Sequence, residues 1–339
     1  MKKILLFGLV MLALANVSIF AQTQVATLQH GQDFSAFYGV NAFIEAHEAA
    51  VDGDIITLSS GGFAATDISK AITLRGAGVV ADTNTFMTPT YVNGDFLVHI
   101  ANESLPLNVE GIFFTDEILC NENNLYHASF TKCNIEHFDV SPDDYTCLYD
   151  VQFVNCLIKT MALRVLSNIG GADVSIINSA VNSFINYDGS SNYVNVYNSF
   201  LIIYDSWYNL YLHNSIIMPY GGWYNNNLYN TYAYNCVITN HITIVEPSEI
   251  HNCMQLYGEH PLTHIFVGWS DGFFDSDFHL TDLINTFPGS DGTQVGIYGG
   301  AMPYNPRPSY IVPHITTVAG QSDSNGNLSV DVEIVNENK

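Results

Sequence analysis

Leu212-His-Asn-Ser-Ile-Ile217 and Ala233-Tyr-Asn-Cys-Val-Ile238 are two copies of one six-residue pattern: apolar, any, Asn, Cys or Ser, apolar, apolar. The other copies are Phe130-Thr-Lys-Cys-Asn-Ile135, Phe153-Val-Asn-Cys-Leu-Ile158, Ile176-Ile-Asn-Ser-Ala-Val181, Val196-Tyr-Asn-Ser-Phe-Leu201 and Ile250-His-Asn-Cys-Met-Gln255. Their third positions, 132, 155, 178, 198, 214, 235 and 252, step by 23, 23, 20, 16, 21 and 17 residues. A period near 20, with short β-type segments and a polar turn residue at fixed phase, is the mark of a β-solenoid.

Equivalent residues of successive coils lie about 4.8 Å apart and form columns. The first position gives Phe130, Phe153, Ile176, Val196, Leu212, Ala233 and Ile250, an apolar column that must point inward. The third gives Asn155, Asn178, Asn198, Asn214, Asn235 and Asn252, with Lys132 as an imperfect first member. Asn tolerates the left-handed backbone of a tight corner, and its amide can bond to the copies above and below. An earlier coil fits as Phe114-Thr-Asp116, 16 residues before Lys132. The uneven spacing places loops of different length at the other corners. The alternative is an antiparallel sandwich or a propeller; it would show hairpin turns, and propeller blades are about twice this long.

Ahead of the repeats, Val40, Phe43, Ile44, His47 and Val51 fall at helical spacing. An amphipathic helix near 40–51 is therefore expected to cap the first coil. Gly53-Asp54 reads as a turn, and 55–58 and 72–74 as the first strands. The stretches 43–58 (Phe-Ile-Glu-Ala-His-Glu-Ala-Ala-Val-Asp-Gly-Asp-Ile-Ile-Thr-Leu) and 68–78 (Ile-Ser-Lys-Ala-Ile-Thr-Leu-Arg-Gly-Ala-Gly) resemble the entry into right-handed parallel β-helices of the pectate-lyase-like superfamily. Residues 292–300 (Gly-Thr-Gln-Val-Gly-Ile-Tyr-Gly-Gly), with Pro303, Pro306, Pro308 and Pro313, resemble the closing segment of secreted β-helix proteins of Gram-negative bacteria.

The resemblance implies an all-β, right-handed parallel β-helix over 22–300, followed by a tail over 301–339. It implies no single activity, because that superfamily holds lyases, hydrolases, esterases and adhesins. Its lyases usually carry an Arg or Lys base on the sheet face, often with Ca²⁺ held by acids. Here Lys159 and Arg164 fall in the central coils but outside the outward columns. Of the Asn-Thr-Asp, Asp-Asp, Gly-His-Gly and Arg-Ile-Lys signatures of polygalacturonase-type hydrolases, only Asp143-Asp144 is present, in a loop. In the tail, Leu328-Ser-Val-Asp-Val-Glu-Ile334 alternates as a half-buried strand does, after a connection that prolines punctuate. It is expected either to pack back on the solenoid or to serve as a docking module.

Residues 1–21 read as a secretory signal: Lys2 and Lys3, an apolar run, then Ala21 at the cut. Export to the periplasm, cell surface or extracellular space is the expectation. The full chain carries 33 acids against 9 bases, a net charge of −24. Removing Lys2 and Lys3 leaves 7 bases against the same 33 acids, or −26. Phosphate-rich partners would be repelled, so nucleic acid and anionic membranes are poor candidates. No later apolar run approaches the ~20 residues of a membrane helix. A monomer is expected.

Six cysteines in an exported chain suggest disulfides. Cys133 and Cys156 are vertical neighbours, as are Cys236 and Cys253, with Ser179, Ser199 and Ser215 between. A step near 4.8 Å lies within disulfide reach, yet stacked side chains that point alike can also stay reduced. Cys120 and Cys147 sit in expected loops.

Outward columns flank the apolar one. Asp150 is expected above Asp173, with His127 one coil earlier and Gln152 and Ser175 alongside. Two carboxylates so close would share a proton, hold Ca²⁺ through oxygen ligands, or serve a glycosidase; the plain alternative is two solvated acids. Tyr193, Tyr197, Tyr211, His213, Tyr232, Tyr234 and His251 form an aromatic patch over four coils. Rings with hydroxyl handles suit sugars, and Tyr is also simply favoured on a sheet face. Trp207, Trp223 and Tyr224 are expected to wall a groove beside it. Asp271, Asp275, Asp277 and His279 lie close in sequence, but not at EF-hand spacing. These readings point first to a non-catalytic exported β-helix that binds a glycan or another cell-surface component. A hydrolase or lyase of neutral glycan and a structural surface protein are the alternatives.

Overall fold

The computed structural model describes residues 24–81, 88–121, 124–140, 147–163, 172–186, 193–204, 206–220, 226–239, 241–256, 262–307, 314–322 and 328–335. Residues 1–21, with the expected signal, lie outside them. The chain winds as a parallel β-solenoid of about 8 turns. A front sheet carries Leu107–Glu110, Ala128–Thr131, Leu148–Val154, Ala172–Ile177, Tyr193–Tyr197, Leu210–His213, Tyr232–Tyr234 and Glu249–His251 in that order. A back sheet carries Phe113–Cys120, Asn134–Val140, Leu157–Leu163, Ala180–Asn186, Phe200–Tyr204, Ile216–Pro219, Val237–Thr239 and Met254–Leu256. A short third sheet stacks Trp207–Tyr208, Asn226–Tyr229 and Ile242–Val245.

The apolar column stands in register at every step: Phe130 opposite Phe153, then Ile176, Val196, Leu212, Ala233 and Ile250. Burial of these side chains between the sheets is the main favourable term holding coil on coil. The coil below Phe130 departs from the expectation. Its column residue is Val109, whereas Phe114 lies on the back sheet opposite Ile135. Gly111 takes the corner, at φ +69, and a Cβ there would come within 3.2 Å of the Gly76 carbonyl. A search for Asn or Asp at the corner passes over a coil whose corner is glycine.

Lys132 and the six column asparagines all adopt left-handed backbone, with φ between 47 and 55. From Lys132 to Asn235 their N–H groups bond to the coil above, as Asn198 does to His213 O (2.9 Å) and Asn214 to Tyr234 O (3.0 Å). The side chains form the expected mutual ladder at the top of the column. Asn252 donates to Asn235 Oδ1 there at 3.0 Å. Lower down, the amides instead hold residues 289–305, which run back along this corner. Asn214 Oδ1 accepts from Ser290 N (2.8 Å), Asn178 Nδ2 donates to the carbonyls of Ile297 (3.0 Å) and Gly299 (2.6 Å), and Asn155 Oδ1 accepts from Asn305 N (3.1 Å).

The same C-terminal region covers the back sheet. Phe266, Phe273, Phe278, Val295 and Ile297 pack with Leu157, Ala180, Phe200, Ile216 and Val237 in a second core. The fifth position of the repeat therefore faces the cover, while the sixth (Ile158, Leu201, Ile217) faces the solenoid interior. A sheet buried on both faces reads as continuous apolar sequence, as in Phe200-Leu-Ile-Ile203.

The helix Ala42–Ala49 closes the N-terminal end, burying Phe43, Ala46 and His47. Lys70 Nζ binds its last carbonyls, His47 O at 2.5 Å and Glu48 O at 3.0 Å, which satisfies acceptors that a helix end leaves free. The tail contains the expected strand, Leu328–Val335, but its hydrogen-bonded partner is His314–Ser322 in a separate two-stranded sheet. Among the described residues no helix is long and apolar enough to cross a membrane.

Candidate functional site

The front sheet alternates. Leu210, Leu212 and Ala233 are buried, while Tyr211, His213, Tyr232 and Tyr234 point to solvent between them. Stacking places equivalent rings one coil apart. Tyr197, His213, Tyr234 and His251 form a continuous column with centroid steps of 5.2, 5.1 and 4.8 Å and interplanar angles of 14°, 10° and 15°. Tyr211 stacks on Tyr232 at 5.0 Å and 9°. Tyr193 stands in register with Asp173 and is 52% exposed.

A second corner extends this surface. His127, Asp150, Asn209 and Asn230 share left-handed backbone, with φ between 47 and 56. Each is preceded by a tyrosine: Tyr126, Tyr149, Tyr208 and Tyr229. These stack in pairs, Tyr126 on Tyr149 at 4.7 Å and Tyr208 on Tyr229 at 4.6 Å. Sequence reasoning missed them, although a Tyr four residues before the apolar column in four coils was a visible signal. Two adjacent coils thus each present three rings: Tyr208, Tyr211 and His213, then Tyr229, Tyr232 and Tyr234.

The stacking decides what a ligand can touch. Rings stacked at about 5 Å use their faces on one another, so along most of the columns solvent meets ring edges and phenol hydroxyls. Partial burial lowers the pKa of His213, which favours a neutral ring in the column.

The expected acid pair takes a different shape. Leu148 pairs with Ala172 and Val151 with Val174, so Tyr149 and Asp150 together face Asp173 across a bulge. Asp150 bonds instead within its own surroundings. Its Oδ2 meets His127 Nδ1 at 3.0 Å and its Oδ1 accepts from Gln152 Nε2 at 3.1 Å. These bonds hold its carboxyl below the usual range, the His127 bond contributing most. Asp150 also occupies the corner that Asn209 and Asn230 fill three and four coils later, which accounts for an Asp there by backbone tolerance alone.

Trp207 does not wall a groove. It is fully buried, with its ring 3.8 Å from that of Phe184. Trp223, Tyr224, Arg164, Asp143 and Asp144 lie outside the described residues. Lys159 sits on the back sheet and pairs with Glu136 at 2.6 Å. In the acid-rich run, Asp277 accepts the His279 N–H at 3.0 Å, while Phe273 and Phe278 anchor the segment in the cover. Among the described residues no group of three His, Cys, Asp or Glu side chains is arranged to hold a metal ion. All six cysteines are free thiols.

No family model, curated protein or solved structure matches this chain.

Proposed function

We propose that this protein is an exported, non-catalytic β-helix that binds a neutral, hydroxyl-rich glycan across the tyrosine rungs of its front face. Export rests on residues 1–21, and placement in the pectate-lyase-like superfamily rests on the resemblance of 43–58, 68–78 and 292–300. The observation that carries the binding reading is the pair of adjacent coils with three ring edges each, in register and stacked within 12°. Rings already held in a column lose little freedom when a ligand arrives, so their contacts carry a small ordering cost. Phenol hydroxyls donate and accept, which matches the edge of a sugar. The strongly acidic chain disfavours a polyanionic partner.

The test is a glycan array followed by calorimetry on the purified protein. Tyr211→Ala with Tyr232→Ala should abolish binding of the selected glycan and leave the circular dichroism unchanged. Undiminished binding in that variant would sink the proposal. A hydrolase or lyase is the second reading, favoured only by the carboxylate that His127 and Gln152 hold ionised at Asp150. It requires turnover of the bound glycan that Asp150→Asn removes.

A further inference from the structure

The Cys or Ser column ends in two sulfur pairs with the same register and opposite surroundings. Cys133 and Cys156 are fully buried, with a serine-bearing coil above. Cys156 N donates to Ser179 Oγ at 2.9 Å, and the serine ladder continues through Ser199 and Ser215. Cys236 is also buried, but Cys253 lies on the final coil of the front and back sheets and is only partly buried. Its neighbours there thin out: Glu249 and His251 are exposed, and Ile250 of the same coil is 37% exposed. Cys253 Sγ accepts the Cys236 N–H at 3.3 Å.

Stacked side chains in the same rotamer hold their sulfurs about one coil rise apart, too far for a bond of about 2 Å. Closing it requires one side chain to rotate. Packing locks Cys133 and Cys156 on every side. Cys253 is only partly buried and so is enclosed on fewer sides, and parallel neighbours lie within the Cα range of a disulfide.

We propose that Cys236 and Cys253 form a redox-active dithiol that reacts with small-molecule disulfides and locks the last coil onto the one before it. The Cys253 thiolate attacks one sulfur of the incoming disulfide, forming a mixed disulfide and expelling one thiolate. Cys236 then loses its proton and attacks Cys253 Sγ, expelling the second thiolate. One disulfide is reduced, one is formed, and the two protons released by the protein leave with the expelled thiols. The electrostatics agree. Hydrogen bonding from Cys236 is the main cause that brings Cys253 down to about 7, while burial pushes Cys236 and Cys156 well above the usual thiol range.

The experiment treats the native, reduced protein with oxidised glutathione and maps thiols by peptide mass spectrometry. A Cys236–Cys253 cross-link should form, with a reductant-reversible rise in melting temperature, while Cys133 and Cys156 label only after unfolding. Cys236→Ser should stop the reaction at a glutathione adduct on Cys253. Cys253→Ser should abolish both cross-link and adduct. Serine already fills this column in three coils, so both variants should fold, and circular dichroism checks it. A native Cys253 that resists oxidised glutathione, or cross-linking of Cys133 to Cys156 at an equal rate, would overturn the proposal.

Discussion

The front and back sheets are built from the same coils, yet they read and behave differently. On the back, Phe200, Ile216 and Val237 point away from the solenoid interior and are nonetheless buried, because residues 262–304 lie over them. On the front, the equivalent outward positions hold Tyr211, His213, Tyr232 and Tyr234, part-exposed and stacked on one another. The ends repeat the contrast: a helix covers the first coil, while Glu249, Ile250 and His251 on the final coil are exposed. Covered surfaces hold the fold together, and open ones are free to meet a partner. One solenoid can divide its faces in this way because each coil decides only which residues point outward, not what they will meet.

The contrast can be broken most directly at Phe200, whose ring packs edge-on against Phe266 at 4.7 Å. Phe200→Ala should cost about 3–5 kcal/mol, through lost burial and the cavity left beneath the cover. Urea unfolding measures it; a loss below about 1 kcal/mol would mean that the cover rests loosely on the sheet.

Asn178 tests how the cover is fastened. Asn178→Ala strands two buried carbonyls and places a Cβ-bearing residue without a polar handle in left-handed backbone, at a combined cost of about 3 kcal/mol. Asn178→Gly should recover the backbone part alone. If both variants melted like the parent, the strap along this corner would contribute nothing to stability.

The capped end should respond to acid. Burial, reinforced by Lys70, lowers His47 from 6.5 to about 4. The unfolded chain therefore binds the proton more readily, and the stability present above pH 6.5 is lost as the pH falls toward 4. The loss should reach about 3 kcal/mol and disappear in His47→Phe, as pH-dependent melting would show. A melting temperature that stays flat across this window in the parent would contradict the buried, neutral ring.

The open face should give the smallest effect. Tyr211→Ala removes one exposed stacked pair and should cost under about 1 kcal/mol. A penalty comparable to that of Phe200→Ala would make the tyrosine column a structural element and weaken the binding proposal.

The repeat was legible because each coil is specified locally. An inward apolar residue, a corner residue that tolerates positive φ and a hydroxyl or thiol beyond it recur within six positions, and every step of that column matches the observed register. The aromatic face was legible for the same reason, since strand alternation alone turns Tyr211 and Tyr232 outward. Reading failed where a residue type changed while its geometry stayed: Gly111 hides a corner, and Tyr208 and Tyr229 precede a second corner whose members are His, Asp and Asn. Trp207 looked like a groove wall because its burial against Phe184 depends on a strand one coil away.

What the sequence determined by itself is the coil, its columns and the two directions each strand faces, because these follow from backbone sterics and a period of two. What the tertiary structure decided is which outward face is covered. The residues that cover the back sheet begin at 262, more than a hundred positions after Leu157, and nothing local to the strands says whether their outer side will meet protein or water.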